Sequence, residues 1–101
     1  MSSSNNILYW IQDWFSNQCN EEWEHSHGIK IDTLDNPGWA VVIDLKGTYL
    51  ENQKMTTVSI DHDDDNWISC SVENNQFKGF SGPKQLNEIL EVFRGWAAKG
   101  Q

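Results

Sequence analysis

Near the amino terminus, apolar residues recur at the 3.6-residue spacing of an amphipathic helix. The positions on one face are Ile7, Leu8, Ile11, Trp14 and Phe15, with Trp10 at its margin. Asn5 and Asn6 precede this run, and asparagine often caps the amino terminus of a helix. Weak helix formers follow, so we expect the helix to end around residues 18–20. An acidic stretch should come next, and then a loop over residues 25–28.

From Gly28 onward the apolar positions change to period two, which is typical of half-buried strands. Ile29, Ile31 and Thr33 alternate with polar residues, and residues 39–45 alternate in the same way. The intervening Asp35-Asn36-Pro37-Gly38 has the residue types of a tight turn. The pattern therefore predicts an antiparallel hairpin.

The second half of the chain contains further strand candidates, at residues 48–51, 55–61, 67–73 and 76–80. Turns or loops should separate them at residues 46–47, 61–66 and 74–75. Val58 and Ile60 lie on one side of their strand, and the inward positions of the next strand are Ile68, Cys70 and Val72. With the first hairpin, this gives about four to six antiparallel strands.

A final helix is predicted from Gly82-Pro83, with proline at the first helical position and Gly100 as a stop. Its apolar stripe consists of Leu86, Ile89, Leu90, Phe93 and Ala97, with Trp96 beside it. The order helix, meander, helix predicts one α+β domain over residues 1–101. An antiparallel sheet would be flanked by an N-terminal and a C-terminal helix, both packed on one face.

The charge balance narrows the classes of partner. Fifteen acidic residues against seven basic ones give a formal net charge of −8. Such a chain repels phosphate backbones and anionic membranes, so we expect no direct binding to nucleic acid or membrane. A basic protein would instead be attracted. The alternative is that the acidity only maintains solubility.

The thiols and the amino terminus indicate a cytoplasmic protein. Cys19 and Cys70 lack the CxxC spacing of redox or zinc motifs, and both should be reduced. The first residues carry no basic group ahead of an apolar stretch, so no signal peptide is expected. No segment is long enough to span a bilayer.

Histidines and acids supply the main candidates for enzymatic chemistry. A small metal-dependent enzyme could use His25, His27 and His62 with the acids Asp61, Asp63, Asp64 and Asp65. The spacing gives little support, and a calcium loop fails because Asn66 occupies the required glycine position. Cys19 and His25 lack an orienting group for nucleophilic catalysis. We therefore expect no catalytic residue, no cofactor and no metal.

The tryptophans admit two interpretations, because this residue is enriched both in cores and at binding hot spots. Trp10, Trp14 and Trp96 should belong to the core or its rim. The other three, Trp23, Trp39 and Trp67, border loops or turns rich in acids. They could pack internally or contact a basic partner.

The most distinctive stretches of the chain are Trp23-Glu24-His25 and Leu34-Asp35-Asn36-Pro37-Gly38-Trp39. With further stretches they resemble the immunity protein 53 family of bacterial polymorphic toxin systems, over roughly residues 8 to 97. The further stretches are residues 14–19, 28–31, 65–70, 82–86, 88–90 and 93–96.

The resemblance implies an immunity protein, not an enzyme, that binds a cognate toxin domain and occludes its active site. Many such toxins are nucleases with basic clefts. We expect the contact residues in the distinctive loops, at Glu21, Glu22, Trp23, Glu24, His25, Asp35, Asn36 and Trp39, and secondly at Asp63, Asp64 and Asp65. Alternatively, residues 23–25 form an internally hydrogen-bonded loop that fixes helix against sheet. The oligomeric state stays open, since an exposed sheet edge permits a dimer without requiring one.

Overall fold

A computed structural model describes residues 6–99, over which the chain forms three helices and a five-stranded antiparallel sheet. The helices are α1 (Ile7–Gln18), α2 (Trp23–Ser26) and α3 (Leu86–Lys99). The strands are β1 (Ile29–Leu34), β2 (Gly38–Asp44), β3 (Val58–Asp63), β4 (Asn66–Glu73) and β5 (Gln76–Ser81). The predicted α+β class, with a helix at each end of an antiparallel sheet, is confirmed.

The strand order is β1-β2-β5-β4-β3, so β5 lies in the centre beside β2. The predicted hairpin of β1 and β2 is confirmed. The predicted meander is confirmed for β3, β4 and β5 but not between β2 and β3, which are not neighbours in the sheet. The two units join through antiparallel pairing of β2 with β5. Residues 45–57 must therefore carry the chain from the middle of the sheet to its far edge.

The predicted strand at residues 48–51 is wrong, because this connection forms consecutive turns instead. The hydroxyl of Thr48 donates to the carbonyl of Leu45 (2.7 Å) and accepts from the backbone N–H of Leu50 (3.0 Å). The backbone N–H of Glu51 in turn donates to the carbonyl of Thr48. Leu45 and Leu50 are fully buried, so the turns close over the core.

The hydrophobic core lies between one face of the sheet and helices α1 and α3. Phe93 of α3 is fully buried at its centre, with ring centroids 5.0 Å from Trp14 and 5.1 Å from Phe77. Gly79 of β5 allows α3 to approach the sheet closely, because a Cβ there would lie 2.3 Å from Cγ2 of Ile89. Helix α3 therefore packs directly on the centre of the sheet.

Helix α1 begins as predicted but buries a narrower face. The Asn6 side chain accepts from the backbone N–H of Leu8 (2.8 Å), which confirms this residue as the cap, whereas Asn5 lies outside the described residues. Leu8 was expected in the core and is 61% exposed. It lies 100° around the helix from Ile7, beyond the stripe that Ile7, Ile11 and Trp14 bury.

Several boundaries differ from the prediction, among them the start of β3 at Val58 and not at residue 55. The loop expected over residues 25–28 is partly helical, since α2 covers Trp23–Ser26. Strand β3 continues to Asp63, inside the loop expected over residues 61–66. Helix α3 begins at Leu86 and not at Pro83, because Gly82 first hydrogen-bonds to the carbonyl of Trp67 and forms a turn with Gln85. The expected stop at Gly100 lies outside the described residues.

Both edge strands carry apolar residues that the helices leave uncovered. Ile31 of β1 is 43% exposed and Ile60 of β3 is 46% exposed. By strand alternation both point to the helix side, where they pair with the buried Val41 and Ile68. The two helices therefore cover the three central strands and not the full width of the sheet.

Candidate functional site

The predicted contact residues are divided between the two ends of strand β1. Residues 21–25 come before its first residue, whereas Asp35 and Asn36 follow its last residue. Six extended residues span about 20 Å. The expected single surface is therefore two surfaces. We call Glu21, Glu22, Trp23, Glu24 and His25 the helix corner, and Asp35, Asn36, Asp61, Asp63, Asp64 and Asp65 the turn end.

At the helix corner, the side chain of Trp23 belongs to the core. It is 5% exposed, packs edge-on against Trp14 with centroids 6.3 Å apart, and donates its indole N–H to the carbonyl of Lys46 (2.8 Å). The ring of His27 stacks on it at 5.9 Å. Trp23 thus fixes α2 to the connection after β2, and we correct its expected role as a surface contact.

Glu24 organises the backbone of the helix corner. Its two carboxylate oxygens accept from the backbone N–H groups of Asn20 (2.9 Å) and Glu21 (2.8 Å). Its own backbone N–H, and then those of Asn20 and Glu21, hold the pKa of this carboxyl below the ordinary 4.5. The alternative interpretation of residues 23–25, an internally hydrogen-bonded loop, therefore applies to Trp23 and Glu24. Glu21, Glu22 and His25 remain exposed.

At the turn end, Asp63 holds the hairpin between β3 and β4. One carboxylate oxygen accepts from the backbone N–H of Asp65 (2.9 Å) and from the side-chain amide of Asn66 (2.9 Å). The bond from the Asp65 backbone and then that from Asn66 lower the pKa of Asp63. The strand register shifts between Asp61 and Asp63. The neighbouring Asp64 and Asp65 are exposed.

The two turns at this end border one shallow depression of about 480 Å³. It is lined by Asn36 of the first hairpin, by Asp61, Asp63 and Asp64 of the second, and by Trp67. The structure thus brings Asn36 together with Asp63 and Asp64, which the sequence could not relate. Asp61 was not expected as a contact residue, and Trp67 was left open between internal packing and contact with a partner. Their alternation in β3 and β4 was the available signal, but only the strand order places them beside Asn36.

A comparison with known families bears on these surfaces. The family model described as immunity protein 53 matches residues 8–98 of this chain. The chain belongs to the immunity protein 53 family. The match covers nearly all of the described fold and confirms the resemblance seen in the sequence. No curated protein and no solved structure matches this sequence.

Family membership implies that this immunity protein binds a toxin partner and suggests that it is not an enzyme. Within residues 6–99, the helices are too short or too polar to cross a membrane.

Trp39 lies on the helix side of the immunity protein's sheet, opposite Ser81 in the register of β2 and β5. Its indole N–H donates to the carbonyl of Pro83 (2.9 Å), and the side chain is half-buried. Trp39 thus ties β2 to the turn that precedes α3. It stands beside the turn end and does not line the depression.

The histidines of the proposed metal site are not gathered in one place. His25 belongs to the helix corner and His27 lies between it and the start of β1, whereas His62 lies on β3 at the opposite edge of the sheet. No group of three or more His, Cys, Asp or Glu side chains within residues 6–99 could hold a metal ion. The geometry gives the metal-dependent alternative no site in this part of the immunity protein.

The two thiols show no activation. Desolvation, and secondly the Glu24 carboxylate, raise the pKa of Cys19, whose thiol donates to the carbonyl of Phe15 (3.4 Å). Burial raises the pKa of Cys70 to about 12. A cysteine nucleophile needs a lowered pKa, so neither position has the environment of a catalytic thiol.

Proposed function

We propose that this immunity protein neutralises a cognate toxin domain by binding it through the turn end and covering its active site. The observation that carries the proposal is the family match over residues 8–98. The depression lined by Asn36, Asp61, Asp63, Asp64 and Trp67 supports the choice of surface. It combines carboxylates with a half-buried aromatic side chain, the combination that suits a basic partner.

Electrostatics support a basic toxin. The net charge is −8, and the turn end contributes Asp35, Asp61, Asp63, Asp64 and Asp65. Lys84 is the basic residue that shares a depression with this surface, next to Asp65. An acidic surface raises the association rate with a basic partner and disfavours acidic ones. A nuclease fits this description, because carboxylates can occupy the positions where its cleft binds phosphates.

The protein acts by binding without catalysis, in the cytoplasm of the cell that makes the toxin. Contact groups that are ordered before binding favour affinity, because less conformational entropy is lost on association. The hydrogen bonds of Asp63 to Asp65 and Asn66 order the hairpin in this way. The free energy of binding is then not consumed in ordering the turn.

The first experiment is co-expression. The carboxy-terminal domain encoded by the adjacent upstream gene is expressed in a sensitive host with and without this protein, and survivors are counted. Survival that requires this chain, with copurification of the two proteins, supports the proposal. A neighbouring domain that is harmless, or that kills equally in both cases, contradicts it.

Paired charge reversals decide which surface binds. Asp35→Lys with Asp64→Lys alters the turn end, and Glu21→Lys with Glu22→Lys makes the same change in charge at the helix corner. All four side chains are exposed. We expect the first pair to abolish protection and the second to preserve it. The reverse result would move the contact surface to the helix corner.

The metal-dependent alternative predicts a different outcome. It requires stoichiometric metal in the purified protein and an activity that fails in His25→Ala or His62→Ala without loss of folding. Elemental analysis, together with co-expression survival of both variants, tests it. Protection that both variants retain in full, in metal-free protein, would leave that alternative without support.

A further inference from the structure

The five-stranded sheet has one face that no helix covers. Helices α1 and α3 pack on the side of Val41, Phe77 and Gly79, and strand alternation turns their neighbours in sequence to the opposite side, which we call the open face. Its apolar side chains are Leu34, Ala40, Val42, Phe80 and Trp67. They run across the sheet from β1 to β4.

The register places two aromatic side chains next to each other on this face. Phe80 lies between Ala40 of β2 and Ser69 of β4. Trp67 is two residues from Ser69 along β4, and is therefore the diagonal neighbour of Phe80, at about 7–8 Å between backbones. Phe80 is 36% exposed. The small cross-strand neighbours of Phe80 leave its ring partly exposed, and Trp67 beside it is half-buried.

Trp67 differs from most tryptophans of this chain. The indole N–H groups of Trp14, Trp23, Trp39 and Trp96 each donate to an acceptor within the protein. In residues 6–99, Trp67 has neither a hydrogen-bond partner for its indole N–H nor an aromatic ring packed against it. A half-buried tryptophan with an unused donor provides both apolar area and a polar contact for a partner.

Acidic residues flank the apolar strip on both edge strands. Asp32 of β1 lies opposite Ala40, and Asp61 of β3 lies opposite Trp67. Four strand spacings separate these edges, about 19 Å. The face also carries two basic residues, Lys30 and Lys78, which both lie opposite Val42, and Lys78 is 3.6 Å from Glu73. The end of the strip that carries Trp67 and Phe80 therefore has an apolar centre and a negative rim, in the way that protein interfaces have an apolar core and a polar rim.

We propose that the open face is the docking surface for the toxin, with Trp67 and Phe80 as its apolar anchor and Asp32 and Asp61 as its rim. This inference rests on the proposed function and deepens it. The depression at the turn end shares Trp67 and Asp61 with the open face, so the two surfaces are continuous. The partner presents an apolar side chain flanked by lysine or arginine.

A second copy of this chain is a poorer occupant than a basic protein. In a twofold dimer the same face meets itself, so the rims of Asp32 and Asp61 would meet like charges. Each copy also carries a net charge of −8. Like charges placed opposite each other across an interface disfavour association. Charge complementarity thus selects the basic toxin.

Alanine variants of the two anchors test the proposal. Trp67→Ala and Phe80→Ala are titrated by calorimetry against a catalytically inactive form of the adjacent gene's carboxy-terminal domain. Tyr9→Ala is the matched control, because Tyr9 is 53% exposed on α1, in the helix layer on the other side of the sheet. We expect Kd to rise about 30-fold for each anchor and less than about twofold for the control.

The outcomes separate the inference from the function on which it rests. Wild-type binding with unchanged Kd in both anchor variants overturns the open face and leaves the immunity function standing. Failure of the wild type to bind or protect overturns both the inference and the proposed function.

Circular dichroism and thermal unfolding verify that each variant is folded. If Trp67→Ala unfolds, Phe80→Ala and Ala40→Lys decide the matter. If Phe80→Ala turns a dimer into a monomer and toxin affinity is unchanged, the face is a self-interface and the inference is wrong.

Discussion

The indole N–H of Trp14 donates to the hydroxyl oxygen of Tyr49 (3.1 Å), and the Tyr49 hydroxyl donates to the carbonyl of Ala97 (3.3 Å). Trp14 is 4% exposed, while Tyr49 is 37% exposed and lies in the connection between β2 and β3. One hydroxyl group thus joins helix α1, the connection and helix α3. The two hydrogen bonds join segments that are far apart in sequence, so they help to hold helices α1 and α3 together.

Removing that hydroxyl should destabilise the protein. Tyr49→Phe leaves the buried indole N–H of Trp14 without its acceptor, which costs about 1–3 kcal/mol. Urea unfolding measures the change in free energy of unfolding. Tyr9→Phe is the control, since its ring is exposed, and it should shift the free energy by less than about 0.5 kcal/mol. Equal values for the two variants would mean that the Tyr49 hydroxyl contributes nothing to stability.

Two glycines make a matched pair for the packing of α3 on the sheet. A Cβ at Gly79 would lie 2.3 Å from Ile89, whereas a Cβ at Gly95 would meet nothing within 4 Å. Gly79→Ala should therefore force the helix from β5 and destabilise by about 1–3 kcal/mol. Gly95→Ala, inside a helix, should stabilise by about 0.5–1 kcal/mol. Thermal unfolding measures the change in stability of each variant. If both variants were stabilised, or both destabilised, the two glycine sites would pack alike.

The local elements could be predicted because their signals lie within a few residues. The 3.6-residue spacing fixed the buried stripe of α3, including Phe93 and Ala97. Period-two alternation and the Asp35-Asn36-Pro37-Gly38 turn indicated the hairpin of β1 and β2. The prediction that Leu8 is buried was wrong, because hydrophobicity alone does not reveal how wide a face of helix α1 the rest of the protein covers.

The candidate surfaces depended on relations that the sequence does not contain. The placement of β5 beside β2 brings Asn36 to the same end as Asp63, and no periodic pattern encodes that strand order. Turn residues 48–51 resembled a strand, because the side-chain hydrogen bonds of Thr48 were not visible in the pattern. Trp23 was predicted as a contact residue because acidic residues surround it in the sequence. The pattern gave no sign that its indole N–H donates to the carbonyl of Lys46.

Acid should weaken the helix corner through Glu24. Because folding lowers the pKa of this carboxyl below the ordinary 4.5, its contribution to stability is complete above that pH and is lost as the pH falls through the folded-state value. Glu24→Gln should therefore be less stable than the wild type at neutral pH, and the difference should shrink below pH 4.5. Urea unfolding at several pH values measures it. A difference that does not change with pH would exclude the carboxylate as the cause.

Cys70 should be inert toward thiol reagents in the folded protein. Its pKa of about 12 leaves about one thiolate in 10,000 molecules at pH 8, and its side chain is fully buried. The Cys19→Ser variant, in which Cys70 is the remaining thiol, should react with a disulfide reagent only when urea unfolds it. Cys70→Ser is the control, and its half-buried Cys19 should react in the native state. Rapid native-state labelling of Cys19→Ser would show that the core opens around β4.

The acidic rim of the open face should control the rate of association with the toxin more than the rate of dissociation. Asp32 and Asp61 are exposed and lie on opposite edge strands, so they act on the approaching partner through solvent, where salt screens them over about 8–10 Å. Asp32→Lys and Asp61→Lys should each lower the association rate constant by about tenfold at low salt. The wild-type association rate constant should itself fall as salt is raised.

The control is Asp13→Lys, which changes the net charge by the same amount but lies on helix α1, on the other side of the sheet. Stopped-flow mixing measures all three variants. An equal loss in Asp13→Lys would attribute the effect to total charge and not to this face.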